Sequence, residues 1–250
     1  MSSIKQSLIN KDFFHDFQPI YDIFSWKKIG HESLLRSTSK QDPKIIFEKA
    51  KEEKWLYQLD SWSIDKAAHT YQQKGLLKKQ GCLFVNIFPS TILNENFPSF
   101  VNKMMDDYTF ESKQIVFEIS ESENIFQVAT FNERVNELKK LGFLIAIDDM
   151  GKDQSCLKLI VDTEPHFIKL DRYFAENLHL SEKKQMIINL ILNYGQQFGS
   201  KLILEGVETP TEMAIAKALG VPYCQGYILG KPEGLPKVQP EYNYHYLYNL

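Results

Sequence analysis

The chain reads as an α/β protein, a modified TIM-type (β/α)8 barrel, and three observations predict it. Apolar runs of strand length alternate with segments of helical periodicity, the pattern of βα units that build a parallel sheet. The strand-like runs number eight, at 14–21, 28–36, 82–88, 114–120, 143–149, 166–171, 201–205 and 222–228. The length, 250 residues, is what one such barrel uses, so residues 1–250 are expected to form a single domain.

The elements follow in order. Only the short turn SWKK separates the first two runs, which leaves no room for a crossover helix, so these strands are expected to pair antiparallel. Residues 43–75 carry helical spacing with many polar positions, including KEEK, and read as one helical stretch with a mostly solvated face. The later crossovers are FNERVNELKKLG, stopped by Gly142, then KKQMIINLILNYGQQFG and TPTEMAIAKALG. The closing segment 233–250 is rich in Tyr and is expected to cover its own barrel, with an edge strand or a partner surface as alternatives.

Composition removes several classes. A formal net charge of -3 gives no basic footprint for bulk nucleic acid, while leaving room for a small phosphorylated ligand held by a few cations. No apolar run approaches the roughly 20 residues that span a bilayer, and MSSIKQSLINKDFF lacks a charged segment followed by an apolar core, so a cytoplasmic protein without a membrane partner is expected. Cys82, Cys156 and Cys224 are too dispersed for a zinc or redox pair and read as core or pocket-wall thiols.

Polar residues recur at the ends of the apolar runs: Gln18, Glu32, Asn86, Glu118, the pair Asp148-Asp149, Lys169, Glu205 and Gln225. Barrel enzymes carry their chemistry at the carboxyl ends of the strands, so these side chains describe one acidic pocket. Such a pocket requires counter-charge. Mg²⁺ or Mn²⁺ prefers carboxylate and amide oxygens, whereas zinc would recruit His or Cys. His31 neighbours Glu32 but points to the opposite face by strand alternation. At a strand end one of the two adjacent Asp residues can bridge two ions while the other binds one of them, a device for phosphodiester cleavage. Lys169 supplies a lone cation suited to orienting water or neutralising developing charge. Arg36, four residues past Glu32, is a candidate phosphate clamp. Taken singly, each has a structural alternative: a strand-end cap, a surface ion pair for Arg36, a turn for Pro232, a helix N-cap for Asp60.

In combination the segments FQPIYD, ESLLR, LDSW, VNIFPS, FEISES, AIDDMG, IKLDR, EGVET and QGYILGKP resemble, in order and spacing, the EAL-type phosphodiesterases, from about residue 14 to 232. The resemblance implies a barrel that hydrolyses cyclic di-GMP to linear pGpG with two Mg²⁺ or Mn²⁺ ions per site, as a homodimer. It makes Glu32, Asn86, Glu118 and Asp148 ligands of the first metal and Asp149 a ligand of the second. Glu205 would help hold that second metal, Lys169 would contact the nucleophilic water, and Gln225 would position that water or a phosphate. Gln18, Arg36 and Pro232 resemble substrate contacts, and Glu121 and Glu208 resemble carboxylates that brace the loop after the Asp pair.

Two departures stand out. The signature tripeptide reads Glu32-Ser33-Leu34, with serine for alanine, which keeps the carboxylate. The loop after Asp149 reads Met150-Gly151-Lys152-Asp153-Gln154-Ser155-Cys156-Leu157 where the family has F-G-T-G-Y-S-S-L, and replacing Gly by Asp restricts the backbone. The expected function is therefore metal-dependent cyclic di-GMP hydrolysis. One alternative is a weakly active or inactive barrel that serves as a cyclic di-GMP receptor or binds a protein partner. The other is an unrelated metal-dependent barrel using Lys169 as a base.

Overall fold

The computed structural model describes residues 13–76, 81–120, 123, 125–151 and 156–235. Eight strands close in sequential order into a barrel. They are β1 (Phe13–Asp22), β2 (Lys27–Ser37), β3 (Cys82–Ile87), β4 (Ile115–Ile119), β5 (Leu144–Met150), β6 (Phe167–Leu170), β7 (Lys201–Leu204) and β8 (Tyr223–Cys224). β1 runs antiparallel to both neighbours, β2 and β8, and every other pairing is parallel. The expected fold and the antiparallel first pair are both present. β8 is far shorter than its apolar run, because beyond Cys224 the chain turns through Gln225 and Gly226 to bond with the segment after β7.

The helices are α1 (Pro43–Glu52), α2 (Leu56–Gln73), α3 (Pro89–Leu93), α4 (Phe97–Asp107), α5 (Val128–Lys140), α6 (Cys156–Thr163), α7 (Glu182–Phe198) and α8 (Pro210–Leu219). The stretch 43–75 is not one solvated helix. It breaks after Glu52, where Lys54 takes a left-handed φ of 59°, and α2 buries Leu56, Leu59, Ile64, Ala67, Ala68 and Tyr71 against the barrel. Asp60 is not an N-cap for its helix. It lies inside α2, buried, and accepts the Phe88 N–H at 3.0 Å from across the interface.

Strand alternation sorts the side chains into two cores. Leu83, Val85, Ile87, Ile115, Phe117, Ile145, Ile147, Ile168, Leu202 and Leu204 face outward to the helices. Ile20, Phe84, Val116, Ala146, Phe167 and Ile203 fill the barrel interior. Two residues further along, on that same inner face, stand Asn86, Glu118, Asp148, Lys169 and Glu205. The apolar plug thus supports a polar layer at the carboxyl ends of the strands.

Candidate active site

The polar layer centres on Lys169, which is wholly buried. Its Nζ lies 2.7 Å from Glu118 Oε1, 2.8 Å from Glu205 Oε1, 2.9 Å from Asp148 Oδ1 and 3.3 Å from Glu32 Oε2. Burial alone would push the ammonium toward its neutral form, but the four carboxylates more than offset this and hold its pKa well above the ordinary lysine value. A lysine so fixed stays charged and is unsuited to act as a base, which counts against the third functional alternative. Burial in turn raises Glu118 well above the ordinary carboxylate range and pushes Glu205 up to about 8, despite the opposing pull of Lys169.

An amide network spans the antiparallel seam. Gln225 Nε2 donates to Glu32 Oε2 at 2.7 Å and to Gln18 Oε1 at 3.1 Å, Asn86 Nδ2 donates to Glu32 Oε1 at 3.4 Å, and Gln18 Nε2 donates to the Gly230 carbonyl at 3.1 Å. β1 and β2 place Gln18 directly opposite Glu32. His31 faces outward, its Nδ1 3.0 Å from the Tyr71 hydroxyl on α2.

The Asp pair owes its arrangement to a bulge. Pairing between β5 and β6 steps from Ile147↔Ile168 to Met150↔Leu170, so β5 carries one extra residue there. Asp149 absorbs it with a left-handed φ of 56°, a conformation that a non-glycine residue adopts under constraint from its surroundings. The bulge lets Asp148 and Asp149 line the same cleft, where strict alternation would send them to opposite faces.

This cleft, of about 410 Å³, is lined by Gln18, Glu32, Asn86, Asp148, Asp149, Glu205, Glu208 and Gln225 among others. Glu118 and Lys169 lie beneath its floor, both fully buried. Two expected substrate contacts are not among the residues lining this cleft. Arg36 lines an adjoining cavity that shares Leu34 and Asn86 with the cleft, and gives its Nε to Asp16 at 2.9 Å. Pro232 is half-buried outside the set of residues lining the cleft. Glu121 and residues 152–155 lie outside the described residues. Asp171, Arg172 and Tyr227 line the cleft without having stood out in the sequence. They follow strand ends rather than closing them, and the only signal was their place beside Lys169 in IKLDR and Gln225 in QGY.

The donor set fits a divalent cation. One oxygen each from Asp148, Asp149 and Glu205 lies within 4.8 Å of the others, a span that hard cations bridge with bonds of about 2.0–2.6 Å. Glu118 Oε2 and Gln225 Oε1 are buried acceptors with no hydrogen-bond partner among the described residues. Buried oxygens without a hydrogen-bond donor beside three clustered carboxylates suit a cation site, and the absence of His or Cys from the set disfavours zinc.

Fold and site together define a (β/α)8-type barrel with an oxygen-lined cation cleft at the carboxyl ends of its strands. The sequence model of the EAL domain matches residues 1–232, and the chain belongs to that family. Cyclic di-GMP phosphodiesterase PdeF of Escherichia coli (strain K12) is 26% identical over 239 residues, which is 94% of this chain and 32% of that protein. The blue light- and temperature-regulated antirepressor BluF of the same strain is 27% identical over 227 residues, 89% of this chain and 55% of that protein. The chain thus spans about a third of the length of PdeF. Among solved structures, the manganese/cyclic di-GMP complex of Klebsiella pneumoniae BlrP1 superposes with a TM-score of 0.80 at 26% identity, covering 89% of this chain and 56% of that one. The cyclic di-GMP complex of the PaMucR phosphodiesterase gives a TM-score of 0.81 at 24% identity over 92% of this chain and 95% of that one, a likeness of fold.

Proposed function

We propose that this chain is a phosphodiesterase that opens cyclic di-GMP to linear pGpG, using two divalent cations, Mg²⁺ or Mn²⁺. The observation that carries this is the polar layer itself, with Glu32, Glu118, Asp148 and Glu205 converging on one buried lysine and Asp149 swung into the same cleft by a bulge. Glu32, Asn86, Glu118 and Asp148 would hold the first ion, and Asp149 with Glu205 the second. When bound, the ions supply positive charge to the phosphate oxygens and acidify water at neutral pH.

The chain's own groups do the rest. One water is consumed: its oxygen bonds to phosphorus as a P–O3′ bond opens, giving a 5′-phosphate and a 3′-hydroxyl. Gln225, with a buried Oε1 that lacks a partner among the described residues and an Nε2 anchored on Glu32 and Gln18, orients that water. Lys169, its pKa held above the ordinary lysine value by its neighbours, ties the four carboxyl groups together, so the cleft is formed before substrate enters. Glu208 lines the rim, and its backbone N–H donates at 3.0 Å to Glu212 Oε2, the oxygen that also accepts the Thr209 N–H in the capping box of α8.

Purified protein incubated with cyclic di-GMP and Mn²⁺ or Mg²⁺ should release pGpG, and Glu32→Ala should not. Tight binding with no product under either metal would replace the enzyme with a receptor. The charged Lys152-Asp153 of the loop after Asp149 favours this second reading, and restoring Thr-Gly there should raise the rate if the loop limits turnover. Exposed Leu157, Val161, Leu180, Met186 and Leu190 on and near α6 and α7 support a homodimer as the assembly, testable by light scattering. No described helix is long and apolar enough to cross a membrane, and the cytoplasm is the proposed location.

A further inference from the structure

We infer that the turn joining β1 to β2 is a docking tip for an anionic lipid surface, to which the barrel presents the end opposite its cleft. The chain runs Ile23-Phe24-Ser25-Trp26-Lys27 from one strand to the other. Phe24 is 51% exposed and Trp26 56%, two large rings turned to solvent within a single short turn.

The turn is firmly held. Ile23 is fully buried in the core, and its N–H donates to the Pro222 carbonyl at 3.1 Å, which ties the turn to the loop before β8. Asp22 Oδ1 accepts the N–H groups of Phe24 and Ser25 at 2.9 and 3.0 Å. Trp26 takes a left-handed φ of 57°, an uncommon conformation for so bulky a residue. Held in this way, the two rings flank one ammonium: Lys217 Nζ, near the end of α8, lies 5.6 Å from the centroid of Phe24 and 5.4 Å from that of Trp26.

Charge decides what the tip can meet. Lys27 and Lys217 are exposed beside the rings, and exposed Lys201, which opens β7, lies 5.7 Å from the ring of Tyr223, the residue paired with Asp22 between β8 and β1. Asp22 is the adjacent acid, and one of its oxygens is committed to the turn. Exposed Trp and Phe bordered by lysines are suited to the headgroup level of an anionic bilayer, where the rings sink in and the ammonium groups stay among the phosphates. Neither ring lines the cleft or the cavity beside it, so the tip offers no channel for a peptide. A chain of net charge -3 is repelled by an anionic surface as a whole. Approach through this basic end turns the acidic cleft, at the other end of the strands, toward solution. No described helix is long and apolar enough to cross a membrane, so the contact is peripheral, and it departs from the expectation of a chain without a membrane partner.

The test is co-sedimentation of the whole chain with vesicles of phosphatidylglycerol and phosphatidylethanolamine, and with vesicles of phosphatidylcholine alone, at several salt concentrations. Wild type should partition to the anionic vesicles at least about tenfold better than to the neutral ones, and salt should release it. Trp26→Ala and Lys217→Gln should each weaken partitioning about fivefold, with thermal unfolding showing that both variants remain folded. Phe126→Ala removes a ring that is 90% exposed beside a different cavity, and should leave partitioning within about twofold of wild type. Absence of wild-type partitioning to the anionic vesicles, or an equal loss from Trp26→Ala and Phe126→Ala, would overturn the assignment. Binding of a soluble oligoglutamate peptide without binding of the vesicles would overturn it too, and would give this face to an acidic protein.

Discussion

Lys169 Nζ and Glu118 Oε1 form an ion pair of 2.7 Å in which both side chains are completely buried, at the meeting point of three further carboxylates. Neither member makes sense alone. Removing the cation strands four acidic groups in the barrel interior, and breaking a buried pair from one side costs about 3–5 kcal/mol. Lys169→Met should therefore unfold well below wild type in EDTA. Added Mn²⁺ should narrow the gap, since it supplies the missing charge. A metal-free variant as stable as wild type in thermal unfolding would show that the ammonium does not hold the layer together.

The same burial makes metal binding sensitive to pH. Glu205 is pushed up to about 8 and Glu118 is raised well above the ordinary carboxylate value, chiefly by desolvation. Protons and cations compete for these oxygens, so Mn²⁺ affinity should climb as pH rises toward and through about 8, then level off. Calorimetric titrations at pH values on either side of that midpoint measure the slope. Glu205→Gln should flatten it while weakening the affinity overall, and a profile that is flat in the wild type would contradict the assignment of Glu205 to the cation site.

Asp60 links stability to pH away from the cleft. Burial pushes its carboxyl from 3.8 up to about 7, against hydrogen bonds from Phe88 and Thr91 that pull it down. The folded chain thus binds this proton more tightly than the unfolded chain. Its contribution is fully present below about pH 4 and is lost as pH rises through about 7. Asp60→Asn keeps an acceptor for the Phe88 N–H and has no proton to lose. Its stability relative to wild type should therefore improve by on the order of 3–4 kcal/mol between acid and neutral pH in urea unfolding. A constant difference across that range would mean that Asp60 ionises normally.

Much of this molecule was legible because strand alternation is a strict code. The sequence Phe84-Val85-Asn86 or Val116-Phe117-Glu118 already says which side chain plugs the barrel, which meets the helices and which enters the polar layer. Features that depend on distant contacts were not legible. Nothing local marks Lys54 as a helix break, and α3 and α4 were missed because Pro89 and Pro98, which open them at the start of a first turn, also read as loop punctuation. Asp60 looked like a cap because Asp before an apolar run commonly is one, and only packing against Phe88 reveals its partner. Arg36 had the right spacing from Glu32 for a clamp. What no local pattern displayed was its ion pair with Asp16 on the neighbouring strand.

Gly206 connects the carboxyl end of β7, which carries Glu205, to Arg172 at the rim of the cleft. Its φ is +67°, and a β-carbon would stand 2.3 Å from Arg172 Cβ and 2.9 Å from Arg172 Cα, atoms that cannot move without shifting the chain after β6. Gly206→Ala therefore combines left-handed strain of about 1–2 kcal/mol with overpacking of about 1–3 kcal/mol. Gly199 supplies the control, because its φ of +84° demands the same conformation but nothing lies within 4 Å of the added carbon. Gly199→Ala should lower the unfolding temperature by the strain alone and leave cyclic di-GMP binding in Ca²⁺ untouched. Gly206→Ala should lower it further and weaken binding, because it displaces Glu205 and Arg172 together. Equal effects of the two substitutions on both measurements would mean that the Gly206–Arg172 contact yields freely and does not set the geometry of the rim.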